Sequence, residues 1–380
     1  MYSKFSALLL GTILVSSLSC GKTDGVSGKA RVLFTNVVTG YMHTCAILED
    51  TRVTCWGYNG FGQLGVEHED NLGDDETDFR RTDIYVSVGA GRTISALALG
   101  NLHTCAILDN GQVKCWGNND WGQLGQGNFT HLGDDVGEMG DGLPAVNLGT
   151  GRTAKSIAAG QDHTCAILDN DTLKCWGFNA SGQLGLGDAN TRGDDAGEMG
   201  DSLPVINLGV GRTAKFVAAG QTNTCAILDN NTLKCWGDNS RGQLGQGNTA
   251  AVGASAAGEI AALTAINVGT GRTATSVSIG LVFVCAVLDN ATLKCWGSGS
   301  QGQLGQGATA DLGDGAGEMG DSLLAINVGT GRTVLSVKNQ FYSTCALLDN
   351  GSVKCWGYND SGSLGAGDSI TRGDNAGEMG

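Results

Sequence analysis

Twelve of the thirteen cysteines fall into six pairs of one spacing, and a thiol pair can form a disulfide, ligate zinc or supply a nucleophile. The first members are Cys45, Cys105, Cys165, Cys225, Cys285 and Cys345; the second are Cys55, Cys115, Cys175, Cys235, Cys295 and Cys355. Structural zinc wants four ligands, usually in close pairs such as Cys-x2-Cys, and each unit offers two cysteines and only sometimes a histidine. Six equivalent copies do not each own a distinct catalytic partner, which disfavours the nucleophile. Each pair straddles a turn such as Asp109–Gly111, which sets Leu108 opposite Gln112 and Cys105 opposite Cys115. That places the pair at a non-hydrogen-bonded site, where side chains lie closest. We read six disulfides, each within one unit. No metal site and no cofactor is expected.

Three other groups could carry chemistry. His43, His103 and His163 share one position, two before the first cysteine, and are expected to hydrogen-bond a neighbouring turn rather than hold a metal. Asp188, Asp194, Asp195, Glu198 and Asp201 are oxygen ligands of the kind calcium prefers, yet the EF-hand spacing is not met. A solvated acidic loop is the plainer reading, with weak calcium binding as the alternative; the fourth unit has Ala251–Ala257 there. Arg92, Arg152, Arg212, Arg272 and Arg332 are expected to bridge one unit to the next acidic loop.

Differences between otherwise matching copies mark positions free of scaffold duty. The loop after each Trp-Gly varies: Tyr58-Asn59-Gly60-Phe61, Asn118-Asn119-Asp120-Trp121, Phe178-Asn179-Ala180-Ser181. Later copies contain Asp238 with Arg241, and Tyr358 with Asp360. Tyr58, Phe61, Trp121, Phe178, Arg241 and Tyr358 are the candidate binding residues, because rigid aromatics among small polar groups are typical anchors.

The elements that must position these groups follow from the repeat. Both cysteine series step by 60 residues without an insertion, which is the signature of a repeat architecture. In one unit Leu203–Leu208 reads as a first strand, Thr213–Ala219 as a second, Thr224–Leu228 as a third and Leu233–Trp236 as a fourth. Short strands bounded by Gly, Asn and Asp turns, with 63 glycines and two prolines, indicate an all-β protein of radially repeated four-stranded blades. The expected fold is a β-propeller with six 60-residue repeats visible, seven-bladed if the chain is truncated at its C-terminus. A stacked solenoid is the competing architecture.

The formal charge of −15 opposes phosphate backbones, so nucleic acid is not an expected partner. Residues 1–19 read as a signal peptide, with Lys4 ahead of the apolar run Phe5–Leu18. Ser17-Leu18-Ser19-Cys20 resembles the lipobox of bacterial lipoproteins, although leucine is usual where Ser17 stands. The resemblance implies cleavage before Cys20 and its lipidation, with 20–30 as a tether, 31–380 as the propeller and membrane attachment by the lipid anchor alone. The expected location is a bacterial outer membrane or cell surface, otherwise secreted.

The run His103-Thr104-Cys105-Ala106-Ile107-Leu108, then Val113-Lys114-Cys115-Trp116-Gly117 and Gly122-Gln123-Leu124-Gly125, resembles the regulator of chromosome condensation repeat. The likeness is greatest to its cysteine-paired exported bacterial version. It extends over 31–380 and implies a propeller, usually of seven blades. No residue set forms a catalytic constellation, so an enzyme is not expected. The leading expectation is an exported scaffold that engages a protein or other surface ligand through variable loops. The alternatives are guanine-nucleotide exchange on a small GTPase, which the resemblance implies, and enzyme inhibition, by likeness to the secreted propeller β-lactamase-inhibitor protein II.

Overall fold

The computed structural model describes residues 34–75, 78 and 84–380. The expected signal peptide, Cys20 and the whole of the expected tether, 20–30, lie outside the described residues. Six antiparallel sheets follow one another along the chain, each of three regular strands in sequence order. In the second unit these are an inner strand Ile94–Leu99, a middle strand His103–Leu108 and an outer strand Val113–Gly117. The inner strands of successive sheets lie side by side, and the turns that follow them are stitched together at a hub. Asn101 N–H donates to Gln161 O (3.1 Å), and Gln161 N–H donates to Gly220 O (3.0 Å). The fold is the expected all-β propeller of repeated blades.

The expected first strand of each unit behaves differently. Ile206 N–H donates to Leu173 O (2.8 Å), so Leu203–Leu208 lies on the outer edge of the preceding blade. The neighbouring carbonyl leaves that sheet: Asn147 O, in the equivalent segment, accepts from Gly200 of the following loop (2.9 Å). A segment shared between sheet and loop cannot complete a ladder. The first five blades therefore have three full strands and an extended fourth segment at the rim; among the described residues the sixth has its three strands alone.

Blades pack face to face because the two faces of each sheet carry complementary residues. One face presents the cysteine pair with Ile107 and Val113, and the other presents Leu97, Leu99, Ala106, Leu108 and Trp116. The cysteine face of one blade meets the Trp face of the next, in five successive cores. The cysteines are bonded as Cys45–Cys55, Cys105–Cys115, Cys165–Cys175, Cys225–Cys235, Cys285–Cys295 and Cys345–Cys355. Each pair sits directly opposite across a hairpin, with Cα atoms 4.1 Å apart at Cys105 and Cys115. On the outward faces of the terminal blades the same positions reach solvent. Val353 is 63% exposed where Val113 is 0%, and Val37 is 41% exposed where Leu97 is 8%.

Polar staples lock neighbouring blades together. The hydroxyl of Thr104 donates to Gln63 O (2.8 Å), which also accepts from Trp116 Nε1 (3.1 Å). His43 Nε2 meets that hydroxyl at 2.7 Å. Since the threonine proton is already committed, the imidazole must be the Nε2–H tautomer and the donor. The pattern recurs from His103 to Thr164 and from His163 to Thr224. These histidines thus bond a strand of the next blade, not a neighbouring turn.

Candidate binding face

Two sets of residues share the hub end of the molecule. The loops after Trp-Gly are tied to the hub turns: Tyr58 N–H donates to Met42 O (3.0 Å), Asn118 to Leu102 O (2.8 Å) and Phe178 to Asp162 O (2.8 Å). The loops are fixed from within as well. Asn119, fully buried, accepts from Leu124 N–H (3.0 Å) and donates to Asn128 O (2.8 Å). Gln123 Oε1 accepts from the N–H of Trp121 itself (2.9 Å). Asn59, Asn119 and Asn179 are therefore scaffold, and only their neighbours are free to vary.

The structure brings most of the expected binding residues together. Trp121 and Phe178, from adjacent blades, have ring centroids 4.7 Å apart. Phe61 lies 6.4 Å from Tyr58 and 5.2 Å from His131, whose Nε2 is 3.6 Å from Asp120. A belt of aromatic rings thus crosses the first three blades. Trp121 is 44% exposed, whereas the repeat tryptophans Trp116, Trp176, Trp236, Trp296 and Trp356 are at 0%. The other two expected residues are placed apart from this belt. Arg241 pairs with Asp311 (3.4 Å) on the fourth and fifth units, and Tyr358 donates to Asp360 (2.7 Å) on the sixth.

Hub residues extend the face beyond the sequence-based expectation. Tyr41 and Phe341 meet edge to face at 4.8 Å, bringing the first and sixth blades together at the hub, and Met42 is 49% exposed. The signal was available, since positions 41, 101, 161, 221, 281 and 341 hold Tyr, Asn, Gln, Gln, Leu and Phe. Burial, then the charge of Asp162, pushes the Tyr41 hydroxyl up to about 12. Asp162 is itself raised to about 6, mainly by burial, with the charge of Asp120 adding to it.

The remaining charged groups hold the scaffold. Arg92, Arg152, Arg212, Arg272 and Arg332 do not reach the acidic loops; each pairs with the aspartate of its own blade's hairpin, as Arg92 does with Asp109 (3.0 Å). In the acidic loops Glu198 accepts from Gly193 (2.8 Å) and Asp195 (3.3 Å), closing the loop on its own backbone. Glu259 does the same in the alanine-rich fourth unit. Among the described residues no group of three or more His, Cys, Asp or Glu side chains is arranged to hold a metal. Lys174 reaches back to Leu148 O and Gly200 O (3.1 and 2.7 Å), and burial lowers its pKa.

Models of the regulator of chromosome condensation (RCC1) repeat match residues 34–63, 94–123, 154–183, 214–243 and 341–363, and a second such model matches 110–167. The chain carries repeats of the regulator of chromosome condensation type. Similar proteins include the ultraviolet-B receptor UVR8 of Arabidopsis thaliana, 29% identical over 89% of this chain and 68% of that protein. The human E3 ubiquitin-protein ligase HERC2 is 26% identical over 72% of this chain, which spans only 5% of it. Among solved structures, human WBSCR16 has a TM-score of 0.70 at 19% identity, covering 90% of this chain and 81% of that one. Yeast RCC1 (Prp20), solved bound to Kap60, has a TM-score of 0.67 at 18% identity, covering 90% and 74%. At such identities the solved structures speak for the fold of this repeat protein.

Proposed function

We propose that this repeat propeller is an exported binding scaffold, tethered through Cys20, that captures a protein partner on its hub-and-loop face without catalysis. The observation that carries this reading is the aromatic belt in which exposed Tyr58 and Trp121 stand beside half-buried Phe61 and Phe178, held on loops whose backbone is fixed. Six disulfides, five of them buried, support an oxidising compartment, since cytosolic thiols are kept reduced. The same bonds weigh against the second reading, action on a small GTPase. That reading draws on a relative named as a GTPase regulator and on a solved relative described by its binding to Gsp1p and histones.

The test is truncation of the belt. Trp121→Ala is expected to weaken partner capture by about 2 kcal/mol or more, roughly thirtyfold, while leaving the melting temperature nearly unchanged. Tyr58→Ala and Phe61→Ala should follow with smaller effects. Equal losses of thermal stability in all three, with capture unaffected, would identify the rings as packing residues and end the proposal.

A further inference from the structure

We propose that the belt receives a cationic side chain, lysine or arginine, presented by an extended basic segment of the partner; the inference rests on the binding-face reading above. Three observations carry it. The first is the ring pair of exposed Trp121 and half-buried Phe178, which offers π faces of the kind that attract a guanidinium or ammonium.

The second is the placement of two carboxylates beside those rings. Asp120 precedes Trp121 directly; its side chain is 59% exposed, and it accepts from Asn118 Nδ2 at 2.9 Å. Asp162 lies on the hub turn whose carbonyl holds the Phe178 N–H. The two are close enough that the charge of Asp120 adds to burial in raising Asp162.

The third is what these acids lack. Elsewhere Asp109, Asp169, Asp229, Asp289 and Asp349 each hold an arginine of the same blade, and Asp188 and Asp368 hold Arg192 and Arg372. Among the described residues neither Asp120 nor Asp162 pairs with a lysine or arginine; Asp120 meets Asn118 and His131, and Asp162 bonds the Gln161 side chain. A partner's cation would relieve the repulsion between the two carboxylates and stack on Trp121 in one step. A neutral ligand would leave that repulsion in place, and an anion would add to it. The net charge of −15 favours the approach of a basic segment from a distance.

The experiment is titration calorimetry of the full chain with a tetra-arginine peptide and its citrulline analogue, which keeps the shape and loses the charge. The arginine peptide should bind saturably and the analogue at least about tenfold more weakly. Asp120→Asn with Asp162→Asn should remove most of that difference, and rising salt should weaken the arginine peptide alone. Equal affinity for the two peptides, lost in Trp121→Ala, would sink the cation and leave the face standing. Arginine binding that survives both Trp121→Ala and the double variant would be adsorption to a general negative surface and would also sink it. Absence of binding by either peptide rejects the inference too, with partner capture by Trp121→Ala still testing the face independently.

Discussion

Ala291 occupies the left-handed region at φ 60°, in the turn between two disulfide-bonded cysteines. The same position holds glycine at 111 and 351, Asn231 and Asp171, which tolerate this geometry, and Thr51, which does not. A β-carbon there costs about 1–2 kcal/mol, partly offset by the greater unfolded-state freedom of glycine. Ala291→Gly is therefore expected to stabilise the protein by about 0.5–1 kcal/mol in urea unfolding, and an unchanged or lower midpoint would contradict the strain argument. At this scale the sequence was readable where a residue broke the repeat. Trp121 stood out because it is the one tryptophan outside the repeated Cys-Trp position. Asn59 reads as part of the variable loop because adjacency in sequence does not reveal that its side chain turns inward to clasp Leu64 (2.9 Å). Asp162 was missed because its importance comes from Asp120, a neighbour in space 42 positions away.

Between elements, the histidine staples make blade packing sensitive to acid. Burial lowers His43 and His163 from 6.5 to about 4 and His103 to about 3. The folded state holds these rings neutral, so the unfolded chain binds more protons between the folded and unfolded pKa values. The stability they contribute is fully present above pH 6.5 and is lost as pH falls from there toward about 4. A protonated imidazole would put a charge in a dry interface where Nδ1 has no partner. The melting temperature should drop steeply over this window. His163→Asn, which copies the native Asn223 of the next blade, should flatten the drop; an equally steep profile in the variant would refute the assignment. Hairpins and disulfides could be read from sequence because spacing sets their register. The sharing of Leu203–Leu208 between a sheet and the following loop could not, since an alternating apolar segment looks alike whether its ladder is completed or divided.

For the molecule as a whole, a period of 60 residues gives every blade the same neighbour relation, so stability is built from adjacent contacts rather than one central core. Periodicity made this architecture legible early, whereas the partner was not, because a uniform scaffold leaves only its variable face to name it. Attachment belongs to this scale as well. Cys20→Ser is expected to move the protein from the membrane fraction to the soluble fraction, and an unchanged distribution would exclude the lipid tether. The docking of successive loops has a kinetic consequence. A β-carbon on Gly62 would collide with the backbone of Gly133 and Asp134, so neighbouring loops touch main chain to main chain. On the proposed binding role, a face braced in this way would meet its partner already shaped, and association would incur little loop-ordering entropy. Encounter rates should then be set by orientation and long-range charge, falling with ionic strength, with no slow conformational phase after first contact.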